Sequence, residues 1–394
     1  MSTTTAKVSV ETKELMRCLN LASKCVSTKP TIPILGNVLL TYKPEVGFVM
    51  SASNIELWID IPVKMNLMEG EFSQICISYN MLKNAVATLP QESTLELLFV
   101  DGRLKVDYKK GKFSVPTENA ADYPISTDIA TSETAEKAAV CKFRIDAGWL
   151  VYNIRTAKIC AAQETLRPII NSVCLDVSKA SINVVSTDQH TLFFNSTELP
   201  AEDLLESDFE TNVPVILSLP TVDAICSSFT SGETIVTADN THVSLLSVST
   251  GVKLIARLVE GSYVPYDKIL SAESDKMLRV ELNDILGAIK RCSVFANEVS
   301  HLATLTNEGD GVRIMVNNID NGVDCGEFVK KLEGTTLDEA GFRIAFNILK
   351  LNSLLSAVTS ENMIINMSAA TNPIIIKNDD ELSNLILLIM PMMV

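Results

Sequence analysis

Between Cys141 and Thr197 the hydrophobic pattern changes period twice. Phe143-Arg144-Ile145 alternates as a strand does, and Leu150, Ile154, Ala157 and Ala161 then recur at helical spacing across 146–161. Val173 to Val177 and Ile182 to Ser186 are extended again. The second of these runs through Thr187-Asp188-Gln189-His190 into Leu192-Phe193-Phe194. The same succession lies upstream, with a helix over 11–26, a strand from Val38 to Tyr42, then Phe48-Val49-Met50 and Asn54. It lies downstream too, with a helix over 281–297, strands Leu302 to Thr306 and Val312 to Met315, then Asn318. Leu15, Leu150 and Ile285 are spaced by 135 and 135 residues, and Asn54, Asp188 and Asn318 by 134 and 130. A period that long predicts three domains, each of ordinary domain size.

Each repeat carries a second helical stretch, over 78–89 with Ser78 at the N-cap position, over 218–229 with Pro220 in the first turn, and over 347–358. Short alternating runs surround them. Leu95 to Val100 and Leu104 to Tyr108 form a hairpin turning at Asp101-Gly102. Two helices and about eight short antiparallel strands per repeat predict an α+β fold, with both helices on one side of antiparallel sheets. The domains are placed at 1–125, 140–270 and 271–394. A linker is placed at 126–139, where Ser, Thr, Ala and charge replace any apolar period.

Composition narrows the class. A chain of 394 residues, 47% hydrophobic, can bury several cores. The longest apolar run, Leu385 to Val394, is about half the roughly 20 residues a spanning helix needs, and Met1 to Asn20 has no apolar signal core. The expectation is a soluble, cytoplasmic protein. Nine cysteines, with no C-x-x-C pair and mostly at apolar positions, predict buried free thiols in a reducing compartment and no metal site.

The net charge of −15 argues against an indiscriminate polyanion binder, but the charge is unevenly spread. The six helical segments (11–26, 78–89, 146–161, 218–229, 281–297, 347–358) carry +1, +1, +1, −1, 0 and +1, together +3, which leaves −18 on strands and loops. Helices and strands should therefore face different surroundings.

Catalysis has little to work with. Asp188 and His190 would share one side of a strand, but the only other histidines are His242 and His301. The G-x-S-x-G, H-E-x-x-H, G-x-G-x-x-G and G-x-x-x-x-G-K-[ST] motifs are all missing. No catalytic residue and no cofactor is expected. A repeat-built interaction scaffold that never touches DNA remains a second reading of the acidic composition and the apolar carboxyl terminus.

Four stretches carry a resemblance: Lys29-Pro30-Thr31-Ile32-Pro33-Ile34-Leu35-Gly36-Asn37-Val38-Leu39-Leu40, Gly111-Lys112-Phe113 leading to Ala121-Asp122-Tyr123-Pro124, Ser186-Thr187-Asp188-Gln189-His190, and Met390-Pro391-Met392. Together they resemble the bacterial DNA polymerase III beta subunit family, the sliding clamps, over essentially the whole chain. The resemblance implies a head-to-tail homodimeric ring of six domains around double-stranded DNA. Helices would line the hole, and the ring would tether the polymerase, a clamp loader and repair proteins through short linear peptide motifs without hydrolysing anything. A domain of this size has a radius of gyration of roughly 14 Å, so a ring of six leaves a hole about one domain wide.

By motif position the resemblance implies a partner-peptide pocket made of Ile170, Thr187, His190, Thr191, Leu192, Val264, Lys268, Ile269, Leu388, Ile389, Met390, Pro391, Met392 and Val394. Aliphatic walls and adaptable methionines suit the Leu or Phe anchors of a short peptide. Three departures bear on peptide preference. Thr191 and Met393 stand where the family usually has Arg, and Val264 stands in a slot usually held by Pro, with Pro265 one position later. For DNA the resemblance implies Lys29 and Arg167 on loops that reach the duplex. Lys13, Arg17, Lys24, Lys83, Arg155, Lys158, Lys290, Arg291 and Lys350 lie on the helices predicted to face the hole, where phosphate contacts carry no sequence information. For ring closure it sets the strand edge Lys110 to Val115, with Lys112, Phe113 and Val115, against Val294 and Phe295 of a partner chain.

Overall fold

The structure is a computed structural model and describes residues 6–27, 30, 32–124, 141–164, 166–209, 211–271, 274–318 and 322–393. The sequence-defined linker 126–139, Lys29 and Val394 lie outside the described residues.

One order of elements runs through the chain three times, with one strand fewer between the two helices in the third pass. The first pass is β1 (Ala6–Glu11), α1 (Thr12–Ala22), β2 (Asn37–Lys43), β3 (Gly47–Ser53), β4 (Leu57–Val63), β5 (Met65–Gly70), β6 (Gln74–Ser78), α2 (Tyr79–Ala87), β7 (Thr94–Val100), β8 (Arg103–Asp107) and β9 (Lys112–Glu118). The second is β10 (Cys141–Asp146), α3 (Ala147–Ala157), β11 (Ser172–Val177), β12 (Ser181–Thr187), β13 (Thr191–Glu198), β14 (Leu204–Ser207), β15 (Val213–Ser218), α4 (Leu219–Ser228), β16 (Glu233–Ala238), β17 (His242–Ser247) and β18 (Lys253–Arg257). After a short helix α5 (Asp267–Leu270) comes the third: β19 (Lys276–Glu281), α6 (Leu282–Ser293), β20 (Leu302–Asn307), β21 (Gly311–Asn318), β22 (Val323–Lys330), β23 (Arg343–Asn347), α7 (Ile348–Leu355), β24 (Asn362–Met367), β25 (Ile374–Asn378) and β26 (Ile386–Ile389).

The repeat is also written in hydrogen bonds. The first backbone N–H of a leading helix donates to a loop carbonyl each time: Thr12 to Ser93 at 2.9 Å, Ala147 to Gly232 at 2.8 Å and Leu282 to Glu361 at 2.9 Å. Each satisfies one of the orphan donors at a helix start, and the donors are spaced by the same 135 residues as the apolar anchors. The six expected helices are present but shorter, because the stretches after α1 and α6 leave the helix as turns. Ser78 holds the N-cap position of α2 without a side-chain cap bond, whereas Asn347 caps α7 by accepting from Lys350 N at 3.0 Å.

The chain packs as two compact units whose limits differ from the repeats. Unit one comprises Met1–Tyr152, Ala201–Thr211 and Pro220–Leu258, and unit two comprises Asn153–Pro200, Asn212–Leu219 and Val259–Val394. Strand pairing explains the division. In unit one, β18 pairs antiparallel with β4, so one 14-stranded sheet runs β14-β10-β16-β17-β18-β4-β3-β2-β6-β9-β8-β7-β1-β5. In unit two, β13 pairs antiparallel with β26 in an eight-stranded sheet, and β22-β21-β20-β23 form a separate sheet of four.

Within unit one, α1 lies beside α2 and covers β1, β3 and β4. Its buried stripe is Thr12, Leu15, Cys18, Leu19 and Ala22, the spacing of one helix face. Tyr42, Phe48, Phe72 and Phe99 form a chain of rings with successive centroids 4.8, 5.4 and 4.8 Å apart. Within unit two, α6 lies beside α7 and covers β19, β21 and β22, burying Ile285, Ala288, Ile289 and Cys292. None of the nine cysteines forms a disulfide, and seven are buried. Among the described residues, no helix is long and apolar enough to cross a membrane.

Candidate functional site

The turn from Thr187 to Thr191 joins β12 to β13 and is ordered by one carboxylate. Asp188 Oδ1 accepts from His190 N at 2.9 Å, from Thr191 N at 2.6 Å and from Thr191 Oγ1 at 2.8 Å. Asp188 Oδ2 accepts from Lys350 Nζ at 2.6 Å. Burial pushes the Asp188 carboxyl up, but the Lys350 ammonium and the hydrogen bonds from Thr191 and His190 outweigh it and hold the group below the ordinary carboxylate value. Thr187 Oγ1 closes the turn from inside, donating to Thr191 O at 2.6 Å and accepting from Gln189 N at 3.0 Å. Gln189 takes the left-handed φ of 72° that this geometry demands, and its Oε1 accepts from Arg167 Nη1 at 3.0 Å.

Asn54, the counterpart of Asp188 in the first repeat, makes the same turn. Its Oδ1 accepts from Glu56 N at 3.1 Å and Leu57 N at 2.7 Å.

The carboxyl-terminal strand lies against this turn. Thr191 pairs with Ile389 and Leu192 with Leu388. Beyond β26, Met390 N donates to His190 O at 2.8 Å and Met392 N to Ala345 O at 2.8 Å, so the tail is held on both sides. Below it, Val185, Leu192, Tyr266, Ile375 and Leu388 form a buried apolar cluster, with Phe194, Tyr263, Ile269, Leu270 and Ile386 half-buried against it.

The expected pocket residues differ in exposure. Ile170, Thr187, Thr191, Leu192, Leu388 and Ile389 are buried. His190, Lys268 and Met390 are exposed, while Val264, Ile269, Pro391 and Met392 are half-buried. Sequence reasoning missed Tyr263, Tyr266 and Phe194, although the 140-residue offset between Tyr123 and Tyr263 was a usable signal. Tyr263 OH donates to Val185 O at 3.4 Å under the turn. In the first repeat, Tyr123 OH accepts from Ser53 N at 2.9 Å and donates to Asn37 O at 3.3 Å.

The expected cations divide as well. Lys13, Lys24 and Lys290 are exposed on or just beyond their helices. Arg155, exposed, and Lys158, half-buried, close α3 and the turn after it. Several others are engaged within the chain. Arg17 binds Glu14 through Nε at 2.8 Å and Pro62 O through Nη2 at 3.0 Å. Lys83 Nζ reaches Tyr79 OH at 2.8 Å, and Arg291 makes a two-pronged pair with Glu327 at 2.8 and 2.9 Å. Lys350, expected among the helix cations that face the hole, is bonded to Asp188, since α7 sets its ammonium beside the turn.

Among the open strand edges of the described residues, two bear on the expected ring closure. β9 pairs with β8 from Lys112 to Pro116 and with β6 only at Thr117 and Glu118, so its other edge over 112–116 has no strand partner among the described residues. Lys110 and Lys112 are exposed there and Phe113 is half-buried. Val115, expected to face a partner, is only 4% exposed, because strand alternation turns it into its own unit. In unit two, β22 is one edge of the four-stranded sheet, and Val294 and Phe295, 77% and 41% exposed, follow the end of α6. Sequence reasoning passed over β22, since Val-Asp-Cys-Gly-Glu-Phe-Val-Lys shows no hydrophobic alternation; a strand with both faces largely wet has no need of it.

Among the described residues no group of three or more His, Cys, Asp and Glu side chains could hold a metal ion. Residues 6–127 match the profile of the DNA polymerase III beta subunit N-terminal domain, and residues 267–393 match that of its C-terminal domain. The beta sliding clamp of Pseudomonas putida is 23% identical over 375 residues, which covers 94% of this chain and 96% of that protein. The beta sliding clamp of Vibrio cholerae is 22% identical, covering 95% and 96%. Among solved structures, the DNA polymerase sliding clamp of Bacillus subtilis superposes with a TM-score of 0.85 at 19% identity, covering 99% of this chain and 100% of the other. The Pseudomonas aeruginosa sliding clamp bound to griselimycin gives the same TM-score, identity and coverage.

Proposed function

The chain belongs to the DNA polymerase III beta subunit family, and from that premise we propose that it is a sliding clamp: a non-catalytic ring that encircles double-stranded DNA in the cytoplasm and tethers a replicative polymerase and other replication and repair proteins. Two chains of three domains each, with limits at 1–125, 140–270 and 271–394, would close the ring head to tail. The observation that carries this reading is that both ends of the chain match the family's own terminal domains. Those are the ends a head-to-tail ring must bring together.

Support comes from the edges. β9 in the first repeat and β22 in the third each leave backbone donors and acceptors open, and such groups are satisfied when one strand edge adds to another. Val294 and Phe295 would add apolar contact beside that seam. The turn at Asp188, the half-buried Ile269 and the tail Met390 to Met392 would receive a short peptide with a Leu or Phe anchor, its backbone fixed by polar groups such as His190. Exposed Lys13, Lys24 and Lys290 would hold DNA by diffuse attraction that permits sliding.

The test is topological. Loaded by a clamp-loading ATPase with ATP onto a nicked circular plasmid, the chain should remain on the DNA through gel filtration at high salt, and it should be released when the circle is cut once. Equal retention on circular and linear DNA, or none on either, would overturn the reading. A scaffold that ignores DNA gives the second of these results.

A further inference from the structure

We propose that Cys292 and Cys325 form a redox-responsive dithiol, which thiol oxidants convert to an intrachain disulfide that disables the β22 edge. The two sulfurs are 3.6 Å apart, far closer than their 33-residue separation would bring them by chance. Cys292 lies on α6 with no exposed surface, and Cys325 is half-buried on β22. Residues 325 and 327 point to the same side of β22 by strand alternation, and both meet α6: Cys325 at Cys292, and Glu327 at Arg291. The thiols and the ion pair thus sit side by side across one helix–strand contact.

The chemistry assigns one role to each sulfur. Cys325 is the one solvent reaches, while burial pushes the Cys292 thiol up to about 12, so Cys292 does not act first. With a peroxide as oxidant, the Cys325 thiolate attacks one peroxide oxygen. The S–O bond forms as the O–O bond breaks, and hydroxide leaves and is protonated to water. Cys292 sulfur then attacks the Cys325 sulfenic acid; the S–S bond forms, the S–O bond breaks, and the departing hydroxide takes the Cys292 proton as a second water. Two electrons pass from the two thiols to the peroxide.

A disulfide needs its sulfurs at about 2.05 Å, so they must approach by roughly 1.5 Å. Cys292 is packed on all sides, and the travel falls on the edge strand. Backbone hydrogen bonds tolerate only a few tenths of an ångström, so a shift of that size takes the outward N–H and C=O groups of β22 out of line with any strand laid beside them.

The effect on self-association rests on the ring reading above, whereas the disulfide does not, and the two are measured separately. The full-length chain is treated with hydrogen peroxide, its remaining thiols are alkylated, and peptide masses are read. The expected product is a cross-linked pair containing Cys292 and Cys325, two hydrogens lighter and restored by dithiothreitol. Cys325→Ser should leave Cys292 reduced, and Cys292→Ala should stop at a Cys325 sulfenic acid that dimedone captures. Separate, uncrosslinked thiols after oxidation overturn the proposal. Sedimentation of the oxidised chain should show dimer dissociation at about tenfold higher concentration than for the reduced chain, a change absent in Cys325→Ser. A disulfide with unchanged self-association overturns the switch. A reduced chain that never dimerises overturns the ring reading and the switch with it, leaving the disulfide to stand on its masses.

Discussion

Lys350 Nζ sits 2.6 Å from Asp188 Oδ2, so a helix of the third repeat is tied to a turn of the second, 162 residues away, inside one compact unit. The other oxygen of the same carboxylate holds His190 and Thr191 in place, so α7 and the turn proposed to receive a peptide share one anchor.

Removing either partner should loosen the turn. Asp188→Ala strips three hydrogen bonds and strands the Lys350 ammonium, a loss of about 1–3 kcal/mol by the usual cost of an unmade partly buried bond. Lys350→Met should cost less stability, since its side chain is 35% exposed. Both should weaken a fluorescent Leu/Phe-anchored peptide by about tenfold or more in polarisation titrations, while leaving DNA retention intact. An unchanged peptide affinity in Asp188→Ala would show that the turn is not part of the site.

Acid should act through the same group. Because the Asp188 carboxyl is held below its ordinary value in the folded chain, its contribution is complete above about pH 4 and is lost as pH falls through the lowered value. The Asp188 contribution to peptide affinity should therefore be lost below about pH 4, and Asp188→Asn should flatten that fall. Titrations at matched ionic strength measure it.

Deleting Met390 to Val394 removes the strap bonded to His190 and Ala345 but leaves β26 whole. Peptide binding should vanish with self-association unchanged in sedimentation. Retained peptide affinity would place the site elsewhere.

Val294→Asp combined with Phe295→Ala alters two exposed side chains beyond the end of α6. The folded chain should survive, with melting unchanged within a few degrees, but it should sediment as a monomer and lose retention on circular DNA.

Lys13→Glu, Lys24→Glu and Lys290→Glu together should lower the salt slope of DNA binding by about 0.9 for each phosphate that is no longer neutralised. Charge reversal at Arg17 or Arg291 should act mainly by breaking internal pairs, with Glu14 and Glu327, and shows as a lower melting temperature.

Much of this architecture could be read before any fold was known, because it is local. The 3.6-residue stripe Leu15, Cys18, Leu19, Ala22 is both a sequence pattern and the buried face of α1. The Asp101-Gly102 turn adopts φ of 52° and 68°, as the hairpin signal demands. Asn54 and Asp188, matched only by their 134-residue offset, make the same side-chain turn. Strands β1, β4, β5, β14, β19 and β22 and helix α5 escaped; the faces of β22 are largely wet, and the four residues of α5 carry no period.

The amino-acid order by itself determined the thrice-repeated succession of helices and strands, their approximate limits and the turns between them, since those depend on the period of side chains along a few residues of backbone. The fold alone decided which cations stay open to solvent and which are spent on Glu14, Asp188 or Glu327. It also decided that sheets run across repeat boundaries through β18–β4 and β13–β26, and that Cys292 meets Cys325. These are meetings between segments far apart in the chain, and no local propensity encodes which distant partner a side chain will meet once the strands have paired.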